Sequence, residues 1–344
     1  MAPSIRHVTP VDPDAAEGLV ADVYRQAKAE LGLTVGPPFT MLSPAPELLA
    51  PMWALLRESL LVGGPAERTA KEVVATTIAV KNACRFCVDA HTVMLHAAGE
   101  HDLAEAVREG RTPYAHADLA EWAAVPSLDG PFRASAAPRF IGTALVFEFI
   151  TRLLKVLAHN VSPHPVTATK LGRAVASRQV RTAVAADLEP GLSLPLLEPR
   201  EPWLQERWST LDLAVPAWAG ESPVGRAYAQ LRAVAGCGRE LLDERAAQSV
   251  ERAVTESVDQ WGLEPVPRPV AIDGIEDLPD GAALGARLAA SAALDPGSID
   301  DDAVATWRAG VLSDHRTVSV LGFAVMHAVD RMQCNLTEIG AIDA

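Results

Sequence analysis

Aromatic residues make up only 5% of the 344 residues, so aliphatic side chains and alanine must supply most of any core. Positive charge is also scarce, because 30 lysines and arginines stand against 44 aspartates and glutamates and give a formal net charge of −14. A nucleic-acid-binding protein needs a basic face that displaces phosphate counterions, so this balance argues against that class. The four cysteines are too few for a disulfide scaffold in a chain of this length.

The sequence also lacks a long uncharged hydrophobic run. Its most apolar stretch, residues 140–157, is interrupted by Glu148, Arg152 and Lys155, whereas a membrane-spanning helix needs roughly 18 or more consecutive apolar residues. The first residues show neither the basic start nor the apolar stretch of a signal peptide. We therefore expect a cytoplasmic protein with no membrane contact. In that reducing compartment, a Cys-x-x-Cys pair is more often redox-active or metal-binding than a structural bridge.

Apolar residues recur at helical spacing along nearly the whole chain. Leu19, Val23 and Ala27, for example, lie on one stripe with charged residues between them. No stretch shows the alternation of a half-buried strand. The pattern predicts an all-α fold, with helices over residues 15–31, 46–61, 65–81, 83–98, 103–109, 117–124, 140–159, 224–234, 240–261, 281–293, 300–312 and 317–333.

A change in composition follows residue 159. Residues 161–186 contain four basic residues and no acidic one, and four prolines then fall between residues 190 and 202. This predicts a first domain over residues 1–165, a basic and proline-rich connector over 166–202, and a second helical domain over 203–344. The basic stretch is either a surface for an acidic partner or neighbouring subunit, or an ordinary solvated helix face.

The informative segment contains Cys84 and Cys87. If Asn82 caps the helix that follows it, Cys84 lies in the first turn, where backbone N–H groups and the helix dipole favour a thiolate. Cys84, Cys87 and His91 fall within about 60° of one another around such a helix. His91 is then close enough to Cys87 to exchange a proton with its thiol. Glu72, on the preceding helix, reaches His91 if the chain turns at Asn82 and Ala83, and would orient the imidazole.

Two alternatives compete with redox chemistry. Cys84, Cys87, His91 and His96 are suitable zinc ligands, but structural zinc sites usually separate two ligand pairs by a longer loop, and four ligands on one short helix cannot readily surround an ion. His96 also points about 120° away from Cys84. The two cysteines could instead be inert core residues, because free cysteine is a common small buried residue. The combination of both cysteines with a histidine and a glutamate favours redox chemistry over both.

The spacing Glu-x11-Cys-x-x-Cys-x3-His resembles the signature of the alkylhydroperoxidase D-like (carboxymuconolactone decarboxylase-like) family. The similarity extends over about residues 15–157, and beyond them the chain resembles the family only in being helical. We interpret the second half as a degenerate repeat or an accessory domain. The other residues that carry the resemblance are Tyr24, Leu42, Ser43, Pro46, Trp53, Arg68, Lys71, Asn82 and the run from Glu148 to Arg152.

The resemblance implies an all-helical homo-oligomer, trimeric or hexameric, with no cofactor and no metal. It implies a redox-active dithiol that reduces hydroperoxides and is re-reduced by a dithiol such as dihydrolipoamide or by a redox protein. Glu72, Cys84, Cys87 and His91 match the catalytic relay of the family. One departure is Phe86, which stands where peroxidase members can carry a histidine before the second cysteine. Decarboxylase members lack the cysteine pair, so the intact pair argues against decarboxylation.

The sequence therefore predicts a dithiol-dependent hydroperoxide reductase in which Cys84 attacks the peroxide, Cys87 resolves the product, and His91, held by Glu72, relays protons. The order of the two cysteines rests on dipole position alone. The alternative is a non-enzymatic redox sensor or structural oligomer that keeps the dithiol. The remaining candidates are interpreted as follows: Cys237 and Cys334 as unreactive, His315 and His327 as structural, and His101 and His116 as solvent-facing. Trp53 is most simply a core or interface residue, and the alternative is that Trp53 and Phe86 line an apolar entry for an organic hydroperoxide.

Overall fold

The computed structural model describes residues 5–111, 116–159, 167, 169–263, 271–309 and 313–342. These residues form sixteen α-helices joined by turns, 3-10 helices and longer loops, and the β-type pairing among them is a single bridge between Ile5 and Ala158. The predicted all-α fold is confirmed. The first eight helices are α1 (Gly18–Leu31), α2 (Pro37–Thr40), α3 (Pro46–Leu56), α4 (Gly64–Lys81), α5 (Arg85–Ala97), α6 (His101–Arg108), α7 (Ala117–Ala124) and α8 (Ala137–Leu157).

The other eight helices lie after residue 159, and the first two of them fall within the segment 166–202 that we interpreted as a connector. They are α9 (Lys170–Ala176), α10 (Arg181–Val184), α11 (Pro202–Trp208), α12 (Pro223–Gly236), α13 (Glu244–Trp261), α14 (Asp280–Leu294), α15 (Asp301–Arg308) and α16 (Asp314–Ile342). Among the described residues, no helix combines the length and the apolar character that a membrane crossing requires. Even α8, whose side chains are mostly buried, carries Glu148, Arg152 and Lys155.

One predicted helix, 46–61, changes its winding before it ends. The α-helical part stops at Leu56, and residues Arg57–Leu61 form a π turn in which the N–H of Val62 donates to the carbonyl oxygen of Arg57. Arg57 and Glu58 are both buried in this turn. Arg57 donates to Glu30, and Glu58 accepts hydrogen bonds from the backbone of Gly191 and from Ser193. The π turn therefore brings two charged side chains inward, where each finds a partner.

Apolar side chains from both halves of the chain form one continuous core. Helix α3 packs on α12, and α8 packs on α16 and α12. Gly142 allows the close approach of α8 to α12, because a Cβ at this position would overlap Val224. The boundary predicted between residues 165 and 166 lies outside the described residues, and the division into two domains stays a prediction.

The basic stretch 161–186 lies partly outside the described residues. Within the described part, Arg173 is buried and ion-paired with Glu105, and Lys170 is 3.0 Å from Asp102. Arg178 is exposed. Two of the four basic residues in this stretch, Lys170 and Arg173, therefore link α9 to α6 through ion pairs.

We predict opposite effects for two neighbouring glycines at the end of α12. A Cβ on Gly238 would overlap the backbone carbonyl of Ser319 in α16, so we expect Gly238→Ala to lower the free energy of unfolding by about 2 kcal/mol, as overpacking does. Gly236 is the matched control, since a Cβ there meets nothing within 4 Å, and Gly236→Ala should raise stability by about 0.5–1 kcal/mol through helix propensity. Urea unfolding measures both. Equal effects of the two substitutions would contradict the close approach of α16.

Candidate active site

The two cysteines lie at a tight turn between α4 and α5. Helix α4 ends at Lys81, Ala83 takes a left-handed conformation with φ of 51°, and Cys84 is the N-cap residue of α5. The prediction that Asn82 caps the helix that follows it, α5, is wrong. Its side-chain amide nitrogen instead donates to Oε2 of Glu148 at 2.7 Å and to Oγ1 of Thr151 at 2.9 Å, and the chain turns at Ala83 before α5 begins. Cys84 therefore lies one position before the first turn of α5.

Cys84 and Cys87 are joined by a disulfide, with their Cα atoms 5.3 Å apart. Both residues are buried, at 5% and 2% exposure. Cys84 accepts the first hydrogen bond of the helix, from the N–H of Val88, while Cys87 lies within the first turn. The start of α5 thus holds the dithiol in its oxidised form, in the turn where helix N–H groups have no intrahelical acceptor.

Glu72 and His91 meet across the α4–α5 turn, as the sequence predicts. Nδ1 of His91 donates to Oε2 of Glu72 at 2.7 Å, and the edge of the imidazole packs against the ring of Phe147. The other carboxylate oxygen of Glu72 accepts from Nε of Arg68 at 2.7 Å. Burial alone would raise the pKa of Glu72, but the Arg68 guanidinium and His91 outweigh it and lower the pKa. The carboxylate is therefore charged at neutral pH and fixes the orientation of the imidazole.

Lys71, next to Glu72 on α4, is fully buried. Its ammonium donates to the carbonyl oxygen of Val62 and lies 3.1 Å from Glu67, which Arg139 also contacts. Burial lowers the pKa of Lys71 to about 7, against the opposing effect of Glu67. This group joins α4 to the π turn and to α8 on the buried side of the site.

Glu148 on α8 binds the residues of the α4–α5 turn. Its carboxylate is fully buried, lies 2.6 Å from the ammonium of Lys81, contacts the guanidinium of Arg152, and accepts from Asn82. Burial would raise the pKa of Glu148, but Lys81 and Arg152 lower it to about 2. In the sequence, Glu148 and Arg152 stand out only as interruptions of an apolar run and as part of a family resemblance. Their spacing of four residues within that run was the signal of a buried ion pair.

A cavity of about 220 Å³ opens beside Cys84. Phe86 lines it, in agreement with the predicted apolar entry, but Trp53 does not. Trp53 is fully buried in the core and donates from its indole N–H to Gln26 at 2.8 Å. A larger cavity of about 510 Å³ shares Arg85 with the first, and neither cysteine is among its lining residues. The smaller cavity is therefore the one that reaches the disulfide.

His96, His101, His315 and His327 have polar partners away from the cysteines, whereas His159 lines the cavity beside Cys84. His96 is buried, with Nε2 at 2.7 Å from Glu105 and Nδ1 at 2.7 Å from Nδ1 of His101. Burial lowers the pKa of His96. His101 is exposed, and its imidazole also contacts that of His96. His315 is 2.7 Å from Glu47, which raises the pKa of the imidazole, and His327 is 3.0 Å from the hydroxyl of Thr255.

Neither of the remaining cysteines lies at this site. Cys237 is half-buried, and burial raises the pKa of its thiol, which disfavours the reactive thiolate. Cys334 is also half-buried, on α16. The structure thus pairs Glu72 with His91 and Cys84 with Cys87 on the two helices that meet at this turn, and it places the other two cysteines elsewhere.

The fold and the site define a class: a helical dithiol protein with a Cys-x-x-Cys disulfide and a carboxylate–imidazole pair on adjacent helices. The chain is 35% identical over 341 residues to alkyl hydroperoxide reductase Rv2159c of Mycobacterium tuberculosis, a match that covers 95% of this chain and 94% of the relative. The chain therefore belongs to the alkylhydroperoxidase D-like family. No family model matches the chain. No solved structure matches it either.

We predict that Glu148 makes stability depend on pH. Because its folded pKa of about 2 lies below the ordinary glutamate value of 4.5, the carboxylate stabilises the fold above about pH 4.5, and this contribution of about 3 kcal/mol is lost as the pH falls toward 2. Glu148→Gln leaves Lys81 and Arg152 buried without their carboxylate, so it should be strongly destabilised at pH 7. Its deficit relative to the wild type should shrink between about pH 4.5 and 2.

Urea unfolding at stepped pH values measures this difference. The exposed Glu121, for which the structure shows no ion pair among the described residues, provides the control. Glu121→Gln should follow the wild type at every pH. A deficit of Glu148→Gln that is the same at pH 7 and at the acid end would contradict the assignment.

Proposed function

We propose that this protein reduces organic hydroperoxides and is itself re-reduced by a dithiol. The observation that carries the proposal is the Cys84–Cys87 disulfide at the start of α5, with the hydrogen-bonded Glu72–His91 pair on the two helices that meet there. A relative that spans nearly the same length carries the name alkyl hydroperoxide reductase, which supports the same reaction class.

In the first step, the Cys84 thiolate attacks the terminal oxygen of the hydroperoxide. A sulfur–oxygen bond forms, the O–O bond breaks, and the alkoxide leaves as the alcohol after taking a proton from His91. Cys84 is oxidised to a sulfenic acid, and the peroxide is reduced by two electrons. The cavity supports Cys84 as the attacking residue, because Cys84 lines it and Cys87 does not.

In the second step, the thiol of Cys87 attacks the sulfur of the sulfenic acid. The S–O bond breaks, the disulfide forms, and the hydroxide leaves as water with the proton of the Cys87 thiol. An external dithiol then reduces this disulfide by thiol–disulfide exchange and leaves as its own cyclic disulfide. We propose a dithiol of the dihydrolipoamide class or a redox protein for this role, and a trimeric or hexameric assembly in the cytoplasm, as the family resemblance implies.

The Glu72 carboxylate has a positioning role in this scheme. It accepts from Nδ1 of His91, which leaves Nε2 as the atom that gives and takes protons, and its charge stabilises the imidazolium. Arg68 offsets the cost of burying the carboxylate. The pair therefore keeps one nitrogen of His91 free for proton transfer.

We predict that both site cysteines are required for turnover. Cys84→Ser and Cys87→Ser should each lower the rate of cumene hydroperoxide reduction with a dithiol donor by about a thousandfold or more, since removal of a nucleophile leaves only a small residual rate. Cys237→Ser and Cys334→Ser, made at the two half-buried cysteines, should keep wild-type rates. Full activity in either site variant would refute the proposed function.

A mass-resolved peroxide titration distinguishes the alternative function. A redox sensor would form one Cys84–Cys87 disulfide for each chain and then stop, even with excess dithiol. The proposed enzyme instead consumes peroxide in proportion to the dithiol supplied.

We predict that His91 acts as the proton carrier. His91→Ala should reduce kcat by about a hundredfold, within the usual range for loss of a general acid–base group, and imidazole added to the buffer should restore part of the rate. Glu72→Gln should also reduce kcat, because the ring loses its carboxylate partner. His116, half-buried outside the site, is the control, and His116→Ala should retain the wild-type rate. A purely structural role for His91 would give no rescue by imidazole.

A further inference from the structure

The cavity beside Cys84 is unusually basic for a chain with a net charge of −14. Four of its lining residues carry positively charged or protonatable side chains, and none of its lining residues is acidic: the four are Arg6, Arg85, Lys155 and His159. They come from the N-terminal segment, the start of α5 and the end of α8. The positive charge of these side chains favours the binding of an anion near Cys84, although the protein as a whole is acidic.

Two of these charges are free to bind a ligand. Arg6 is occupied, since its guanidinium donates to the backbone carbonyls of Lys155 and Val156 and to the carboxylate of Asp301 at 2.7 Å. Arg85 and Lys155 differ, because no carboxylate in the described part of the chain lies within ion-pair distance of either. Arg85 is exposed and Lys155 is half-buried. Asp295, beyond Gly297, acts on Lys155 only from a longer range.

The rest of the lining is apolar. Phe86, Leu154, Ala158 and Ile299 face the same cavity, and Ile299 belongs to the second half of the chain. A volume of about 220 Å³ lies below the roughly 300 Å³ at which pockets for drug-sized ligands begin. The cavity therefore suits a small molecule with a short hydrocarbon part and one negative charge.

We propose that this cavity binds small organic hydroperoxides that carry a carboxylate, with the carboxylate at Lys155 and Arg85 and the peroxide group at Cys84. This proposal rests on the proposed function and specifies its substrate class. The cationic residues hold the end of the substrate that does not react, and the apolar residues hold the hydrocarbon between the two ends. The neutral dithiol dihydrolipoamide has no charge for these residues to recognise, so the hydroperoxide is the better occupant.

The first test needs no turnover. In a Cys87→Ser variant, Cys84 is alkylated with iodoacetate or with iodoacetamide, and its rate is followed by peptide mass. Both reagents react with the same thiolate, so their rate ratio cancels any change in the thiol pKa. Relative to a small free thiol, we expect the ratio to favour the anionic reagent by about tenfold at low salt and less at high salt.

Charge variants then locate the effect. Lys155→Gln and Arg85→Gln should each move the ratio toward that of the free thiol, and Lys155→Arg should keep it. Arg226, exposed on α12 and without an ion pair among the described residues, is the matched control, so Arg226→Gln should leave the ratio unchanged. If the Cys87→Ser variant without any charge substitution gave the same rate ratio as the free thiol, the proposal would be overturned.

The second test uses turnover by the full-length protein. A carboxylate-terminated tertiary alkyl hydroperoxide is compared with its methyl ester at saturating dithiol, and we expect kcat/KM to favour the acid by about tenfold, with the preference reduced in Lys155→Gln. A second arm compares dihydrolipoate with dihydrolipoamide at saturating peroxide. Selectivity for charge in the reductant arm alone would overturn the assignment to the hydroperoxide.

The two tests separate this proposal from the one on which it rests. Turnover of the methyl ester without any preference for the acid keeps the proposed function and overturns the substrate class. Absence of turnover with either peroxide overturns both, even where the alkylation ratio shows that the cavity selects anions.

Discussion

The buried carboxylate of Glu148 is the constraint on which the site depends. One fully buried negative charge contacts Lys81 and Arg152 and accepts from the Asn82 amide, so it ties α8 to the end of α4. Such a charge is costly to bury unless all its acceptor positions are used, and the turn toward Cys84 supplies the donors. The α4–α5 turn is therefore fixed by its contact with α8 and not by a cap of its own, which places Cys84 at the helix start.

The same ion pair also joins the two halves of the chain. Arg152 contacts Glu148 and, through its remaining donors, binds the carbonyl oxygens of Ala293 and Leu263 at 2.8 and 2.9 Å. Ala293 lies in the last turn of α14, before the short segment that carries Ile299 to the cavity. The second half, which has no Cys-x-x-Cys of its own, thus supplies part of the cavity lining beside Cys84. This gives it a part in the site whether or not it derives from a repeat.

Local sequence patterns predicted most of the fold and about half of the geometry of the site. Helical periodicity predicted the helices because each one buries a regular apolar stripe, and the i, i+3 and i+4 spacings predicted that Cys84, Cys87 and His91 share one face. The Glu72–His91 contact needed only one short turn. The cap role of Asn82 was assigned wrongly because its partner is Glu148, which only the packed fold reveals, whereas Trp53 lies in the core, as its simpler interpretation predicted. Residues such as Ile299 reach the cavity from more than 200 positions away, and no sequence spacing encodes such a contact.

The contacts of Arg6 have a consequence for the order in which the protein folds during its synthesis. It is held by the end of α8 and by Asp301, which is 295 residues later in the chain. During synthesis, residue 301 emerges from the ribosome long after both cysteines, so the helices around Cys84 exist for many seconds without the part of the cavity lining that the second half supplies. The side of the cavity that Ile299 forms is therefore the last part of the site to be completed.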